Sequence, residues 1–159
     1  MNSKYILLLV EDEAPKRAHI LRFLEAYVDT IDIDIARSVN SALDCIDNNK
    51  PDIIFLDMSL PTFDIGERES GGRPQGFGGI EVLRYMIMSD ICCPTIVITG
   101  YDAFIRTTGK AVDLSQIKDE LIEEFPDIIK GVLHYNSTLD EWRHALADAL
   151  SHLMSNGSK

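Results

Sequence analysis

Short apolar runs alternate along this chain with segments of helical periodicity, a pattern that buries both kinds of element best as a parallel sheet with helices on its two faces. Tyr5-Ile6-Leu7-Leu8-Leu9-Val10 is apolar throughout and predicts a strand covered on both sides. Pro15 then stands where a helix can begin, and Ile20, Leu21, Leu24, Tyr27 and Val28 supply its apolar stripe. Ile31, Ile33 and Ile35 alternate with Asp32 and Asp34, the period of a strand with one wet face at or near an edge. Ser38 can cap the next helix, which carries Val39, Ala42, Leu43 and Ile46 and is stopped by Pro51. A third strand, Ile53-Ile54-Phe55-Leu56, runs directly into Asp57.

Beyond it, residues 80–88 have helical spacing, 95–98 form a fourth buried strand and 128–133 a fifth. Thr138-Leu139-Asp140-Glu141 has the form of a capping box, and Trp142, Ala145, Leu146, Ala149, Leu150 and Leu153 make one buried helical face. The expected organisation is one α/β domain over 1–154, a doubly wound five-stranded parallel sheet, followed by a frayed polar tail at 155–159. A chain of 159 residues is long enough to bury one core unaided.

Charge and composition narrow the function classes. The formal net charge of −11, with no basic patch, argues against binding nucleic acid or an anionic membrane. The longest apolar run is too short to span a bilayer and there is no secretory leader, so a cytoplasmic protein is expected. Cys45, Cys92 and Cys93 have no zinc-like spacing and are expected to be reduced, partly buried thiols. The spacing of His19, His134, His144 and His152 points to no phosphodonor, base or metal ligand.

The chemistry becomes visible at the strand ends. The first strand ends in Glu11-Asp12, the third in Asp57 and the fourth in Thr99. Right-handed crossovers give a flavodoxin-like strand order, 2-1-3-4-5, so these carboxyl ends converge on one crevice at the topological switch point. Clustered carboxylates raise one another's proton affinity unless a cation intervenes, and an all-oxygen site suits magnesium or manganese. Asp57 could then attack phosphorus in line while the Thr99 hydroxyl donates to a phosphoryl oxygen. Singly these residues are weak signals: acids favour helix N-termini, and an aspartate at a strand end is often a turn former.

Leu8-Leu9-Val10-Glu11-Asp12-Glu13, Ile54-Phe55-Leu56-Asp57-Met58-Ser59-Leu60-Pro61 and Ile96-Val97-Ile98-Thr99-Gly100 together resemble the three successive motifs of bacterial response-regulator receiver domains, and the likeness covers nearly the whole chain. It implies that Glu11 and Asp12 are the acidic metal pair, Asp57 the phosphoacceptor and a metal ligand, the Ser59 carbonyl a further ligand, and Thr99 the switch hydroxyl. It also implies Mg2+ or Mn2+ as cofactor and a sensor histidine kinase or histidine phosphotransfer protein as partner. Output would pass by contact to a downstream protein, and any catalysis would be confined to phosphorylation and dephosphorylation of Asp57 itself. With no room for an output domain after the last helix, the resemblance implies a stand-alone regulator or a receiver cut from a longer protein.

Two departures qualify the likeness. The family carries a lysine at the end of the fifth strand; in Gly131-Val132-Leu133-His134-Tyr135-Asn136 that place falls to Tyr135 and Asn136. A phenol brings no positive charge at neutral pH, so Lys110, Lys118 and Lys130 are the substitutes to be weighed against ordinary surface lysines. The chain is also longer in two places. Residues 62–78, rich in glycine, are expected to form a flap beside Asp57, and 114–125 an acidic amphipathic helix with Ile117, Leu121 and Phe125 inward, which either alters a partner surface or homodimer interface or merely covers the sheet. The alternative from another class is a pseudo-receiver that signals by binding without phosphotransfer, supported by Tyr135. An aspartyl phosphatase would want a second acid where Ser59 stands.

Overall fold

The computed structural model describes residues 4–63, 78–100, 103–105, 111–136 and 138–156. Among these described residues, seven strands and five α-helices follow in the order β1 (Tyr5–Val10), α1 (Ala14–Leu24), β2 (Ile31–Ala36), α2 (Val39–Asn49), β3 (Ile53–Leu56), α3 (Gly78–Met88), β4 (Thr95–Thr99), β5 (Ala103–Ile105), β6 (Ala111–Asp113), α4 (Leu114–Glu124), β7 (Ile129–His134) and α5 (Glu141–Asn156). Five strands form one parallel sheet, ordered β2-β1-β3-β4-β7. This is the expected doubly wound order; β7 is its fifth strand because the short antiparallel pair β5–β6 intervenes in the chain. That hairpin was not foreseen from the sequence.

Alternate residues of the central strands feed two cores, as the two-residue strand period requires. Leu8, Val10, Ile54, Leu56 and Val97 pack with Ala42, Ile46, Val82, Met86, Ile117 and Leu121, beneath α2, α3 and α4. Leu7, Leu9, Phe55 and Ile96 pack with Ile20, Leu24, Trp142, Leu146 and Leu150, beneath α1 and α5. Ile117, Leu121 and Phe125 do face inward.

Local chemistry sets the helix ends. Pro15 lies in the first turn of α1, and Ser38 caps α2 by accepting from the Ser41 backbone N–H while the Ser41 hydroxyl accepts from Ser38 N–H. Asp113 and Gln116 form the same reciprocal pair at the start of α4. The capping box expected at Thr138 does not form. The Thr138 hydroxyl and N–H both donate to the Asn136 side chain, each at 2.8 Å, and α5 begins only at Glu141. At the other end α5 continues through Ser155 and Asn156, two residues into the expected tail.

Other expectations shift by small amounts. β2 is an edge strand, but Ile35 is exposed, so its apolar face is incomplete. Val28 is exposed because α1 ends at Leu24 and gives way to a 3-10 turn, Glu25–Tyr27. Of the expected flap, 64–77 lies outside the described residues, and Gly78 already belongs to α3. No helix among the described residues is long and apolar enough to cross a membrane.

None of the three cysteines is in a disulfide: Cys92 is exposed, Cys45 half-buried and Cys93 buried. Burial, with Asp52 nearby, pushes the Cys93 thiol up to about 12. The thiolate is the reactive form, so brief iodoacetamide treatment of the native protein near pH 8 should label Cys92 and spare Cys93, which reacts only after denaturation. Peptide mass mapping reads this out, and early labelling of Cys93 would show that the edge it closes is open in solution.

Candidate functional site

β1, β3 and β4 lie side by side at the centre of the sheet, and their carboxyl ends meet where the strand order reverses. Glu11 and Asp12 follow β1, Asp57 follows β3, and Thr99 closes β4. Carboxylate oxygens of Glu11, Asp12 and Asp57 lie within 4.8 Å of one another. Glu11, Asp57, Ser59 and Thr99 are all buried and Asp12 half-buried. The backbone holds the crevice in shape: Asp57 N–H donates to Val10 O at 3.1 Å, Gly79 N–H to Met58 O at 2.9 Å, and Tyr135 N–H to Thr99 O at 2.8 Å.

One member of the site was missed by sequence reasoning. Lys16, in the first turn of α1, is only 2 % exposed, and its ammonium enters the acidic cluster. Nζ lies 2.6 Å from Glu11 Oε1 and 3.1 Å from Asp57 Oδ1, and donates to the Ile98 carbonyl at 2.6 Å. Its position in a first helical turn reads as an ordinary surface lysine; the only hint was its closeness in sequence to Glu11-Asp12. Of the three lysines weighed as substitutes, Lys118 and Lys130 are exposed, and Lys110 lies outside the described residues.

Tyr135 stands at the end of β7, as expected, and its phenol is engaged by α1. Its hydroxyl bonds His19 Nδ1 at 2.5 Å, its ring packs on Trp142 with centroids 5.3 Å apart, and Lys16 Nζ lies 5.8 Å from the ring centroid. His19, set aside on spacing, is therefore part of the wall behind the site. Burial, with Glu13 and Glu11 nearby, holds the phenol above its usual range.

The electrostatics follow from crowding. Burial, then the neighbouring Asp57, pushes the Glu11 carboxyl up to about 7, against the pull of Lys16. Burial likewise raises Asp57, opposed by Lys16 and by a hydrogen bond from the Ser59 backbone, and it raises Asp12. Burial works against the Lys16 charge, but Asp57 and Glu11 outweigh it and keep the ammonium protonated. Three carboxylates and one ammonium leave the pocket a formal charge of −2 when all are ionised. An all-oxygen donor set of that charge fits a hard divalent cation with water completing its shell.

No protein-family model matches the chain. It is 27 % identical over 149 residues to the Detocs response regulatory protein DtcB of Enterobacter cloacae, covering 92 % of this chain and 99 % of that protein. It is 28 % identical over 137 residues to the transcriptional regulatory protein TrcR of Mycobacterium tuberculosis, across 84 % of this chain and 47 % of the relative. The response regulator domain of Thermotoga maritima CheB superposes with a TM-score of 0.66 at 15 % identity, covering 98 % of this chain and 99 % of that domain. The chain is a response-regulator receiver domain. As a receiver of two-component signalling it keeps the acidic crevice at the sheet's switch point and departs in what surrounds it: a tyrosine closes β7, and a lysine reaches in from α1.

Proposed function

We propose that this receiver accepts a phosphoryl group on Asp57 from the phosphohistidine of a sensor kinase or phosphotransfer protein, with Mg2+ or Mn2+ as cofactor, and acts in the cytoplasm. The observation that carries the reading is the gathering of Glu11 and Asp12 around Asp57, with carboxylate oxygens within 4.8 Å. An Asp57 carboxylate oxygen attacks phosphorus, the bond from phosphorus to the donor nitrogen breaks, and its electron pair leaves with the imidazole. Glu11, Asp12, Asp57 and the Ser59 carbonyl would hold the metal, which neutralises charge on the phosphoryl oxygens when bound. Thr99, at the neighbouring strand end, supplies a hydroxyl donor to the phosphoryl group. Burial of Asp57 excludes bulk water, which strengthens each of these contacts and slows hydrolysis of the acyl phosphate.

The output would be a contact surface. α4 lies on the α2–α3 side of the sheet next to β7, and its exposed face carries Lys118, Asp119, Glu120, Ile122, Glu123 and Glu124 for a downstream protein or a second copy of the receiver.

Incubation with Mg2+ and acetyl phosphate should give one phosphoryl adduct by intact-protein mass, and Asp57→Asn should abolish it. Absence of an adduct from both acetyl phosphate and a cognate kinase would move the assignment to a pseudo-receiver that signals by binding alone.

A further inference from the structure

We propose that Lys16 is the cation that pairs with the phosphoryl group on Asp57, delivered from the first turn of α1 instead of from the end of β7; the inference rests on Asp57 being the acceptor.

The first argument is position. Lys16 Nζ contacts groups from three adjacent strand ends: Glu11 after β1, Asp57 after β3, and the Ile98 carbonyl on β4. Its contact with Asp57 is to Oδ1, at 3.1 Å. An ammonium there lies within reach of the oxygens of a phosphoryl group bonded to that carboxylate. Among the described residues the ion pair to Asp57 comes from Lys16.

The second is cost. A lysine in the first turn of a helix faces the positive end of the helix dipole, and burying its ammonium removes its hydration. A cation tolerated under both penalties, in a site whose neighbours are acidic, is held by that acidity. As a phosphoryl group forms on Asp57, the negative charge facing Nζ increases and the ion pair strengthens, so the contact favours the transition state over the ground state.

The third is the wall opposite. Tyr135 closes β7 with its hydroxyl turned to His19 and its ring facing Lys16 Nζ at 5.8 Å. The aromatic ring fills the space a second cation would need and offers the ammonium its π face. In transfer from acetyl phosphate, the Asp57 oxygen bonds to phosphorus, the bond from phosphorus to the acetyl oxygen breaks, and acetate leaves with the electron pair. Lys16 stays protonated throughout.

The test compares adduct formation by intact mass, with Mg2+ and acetyl phosphate, in the wild-type chain, Asp57→Asn, Lys16→Met, Lys16→Gln and Lys16→Met/Tyr135→Lys, each checked for folding by circular dichroism. Lys16→Met and Lys16→Gln should slow phosphorylation on the order of 100-fold, the loss typical of one electrostatic contact to a reacting group. Two Lys16 replacements are used so that whichever folds carries the comparison. Tyr135→Lys in the Lys16→Met background should recover at least tenfold, since position 135 borders the same space. Recovery is something a purely structural role for Lys16 would not give. A folded Lys16 variant phosphorylated at the wild-type rate, or a folded double variant with no recovery, overturns the inference while leaving Asp57 as acceptor. A wild-type chain that forms no adduct with either acetyl phosphate or a cognate kinase overturns both readings.

Discussion

Phe55→Ala should lower stability by about 3–5 kcal/mol, the range for emptying a buried aromatic site. Phe55 is completely buried in the middle of β3, paired in register with Leu9 on one side and Ile96 on the other, and it packs in the core beneath α1 and α5. Both neighbouring strands are held by the sheet ladder and two helices cover them, which opposes collapse into the space. At about 2–4 °C per kcal/mol for a chain of this size, the melting temperature should fall by on the order of 10 °C. Urea unfolding with an unchanged m-value would identify the loss as one of native-state packing. A loss below about 1 kcal/mol would mean that the strand shifts to refill the site, against the rigidity expected of a close-packed interior.

Gly79→Val is expected to disturb both the fold and the setting of Asp57. A Cβ at position 79 would lie 2.6 Å from the Asp57 carbonyl oxygen, 2.6 Å from Met58 Cε and 3.0 Å from Met58 Cα. The methionine terminus can move, but the other two are backbone atoms of the segment that carries Asp57. Gly79 N–H also donates to Met58 O, so α3 is seated on this segment by a hydrogen bond as well as by contact. Overpacking of this kind costs about 1–3 kcal/mol or more, and valine exceeds alanine because its two further methyls enter the same gap. Gly131→Ala is the control: there a Cβ meets only Ile96 Cγ2 at 3.8 Å, an ordinary contact, and stability should scarcely change. Thermal unfolding and the rate of adduct formation on Asp57 should both fall for Gly79→Val; equal behaviour of the two glycine variants would refute the close approach.

Much of this receiver is decided locally, and that part was legible. The unbroken apolar run of Tyr5–Val10 and the run ending at Leu56 specify buried parallel strands, and the crossover rule then brings Glu11, Asp12, Asp57 and Thr99 to one edge. Ser38 could be read as a cap because capping involves residues three apart. The same reasoning failed at Thr138, where the cap-like spacing was right but Asn136 captured the donors first.

What the sequence by itself determined is therefore the strand order and the set of acids in the crevice, since both follow from periodicity and from the ends of consecutive strands. What only the tertiary structure decided is where the charge of Lys16 goes and what Tyr135 does. The carbonyl that holds Lys16 lies 82 residues away on β4, and the histidine that holds Tyr135 lies 116 residues away on α1. A side chain's burial and partners depend on which distant backbone arrives beside it, and neither spacing nor propensity carries that information. Lys16 looks like any solvated lysine until β1, β3 and β4 close around it.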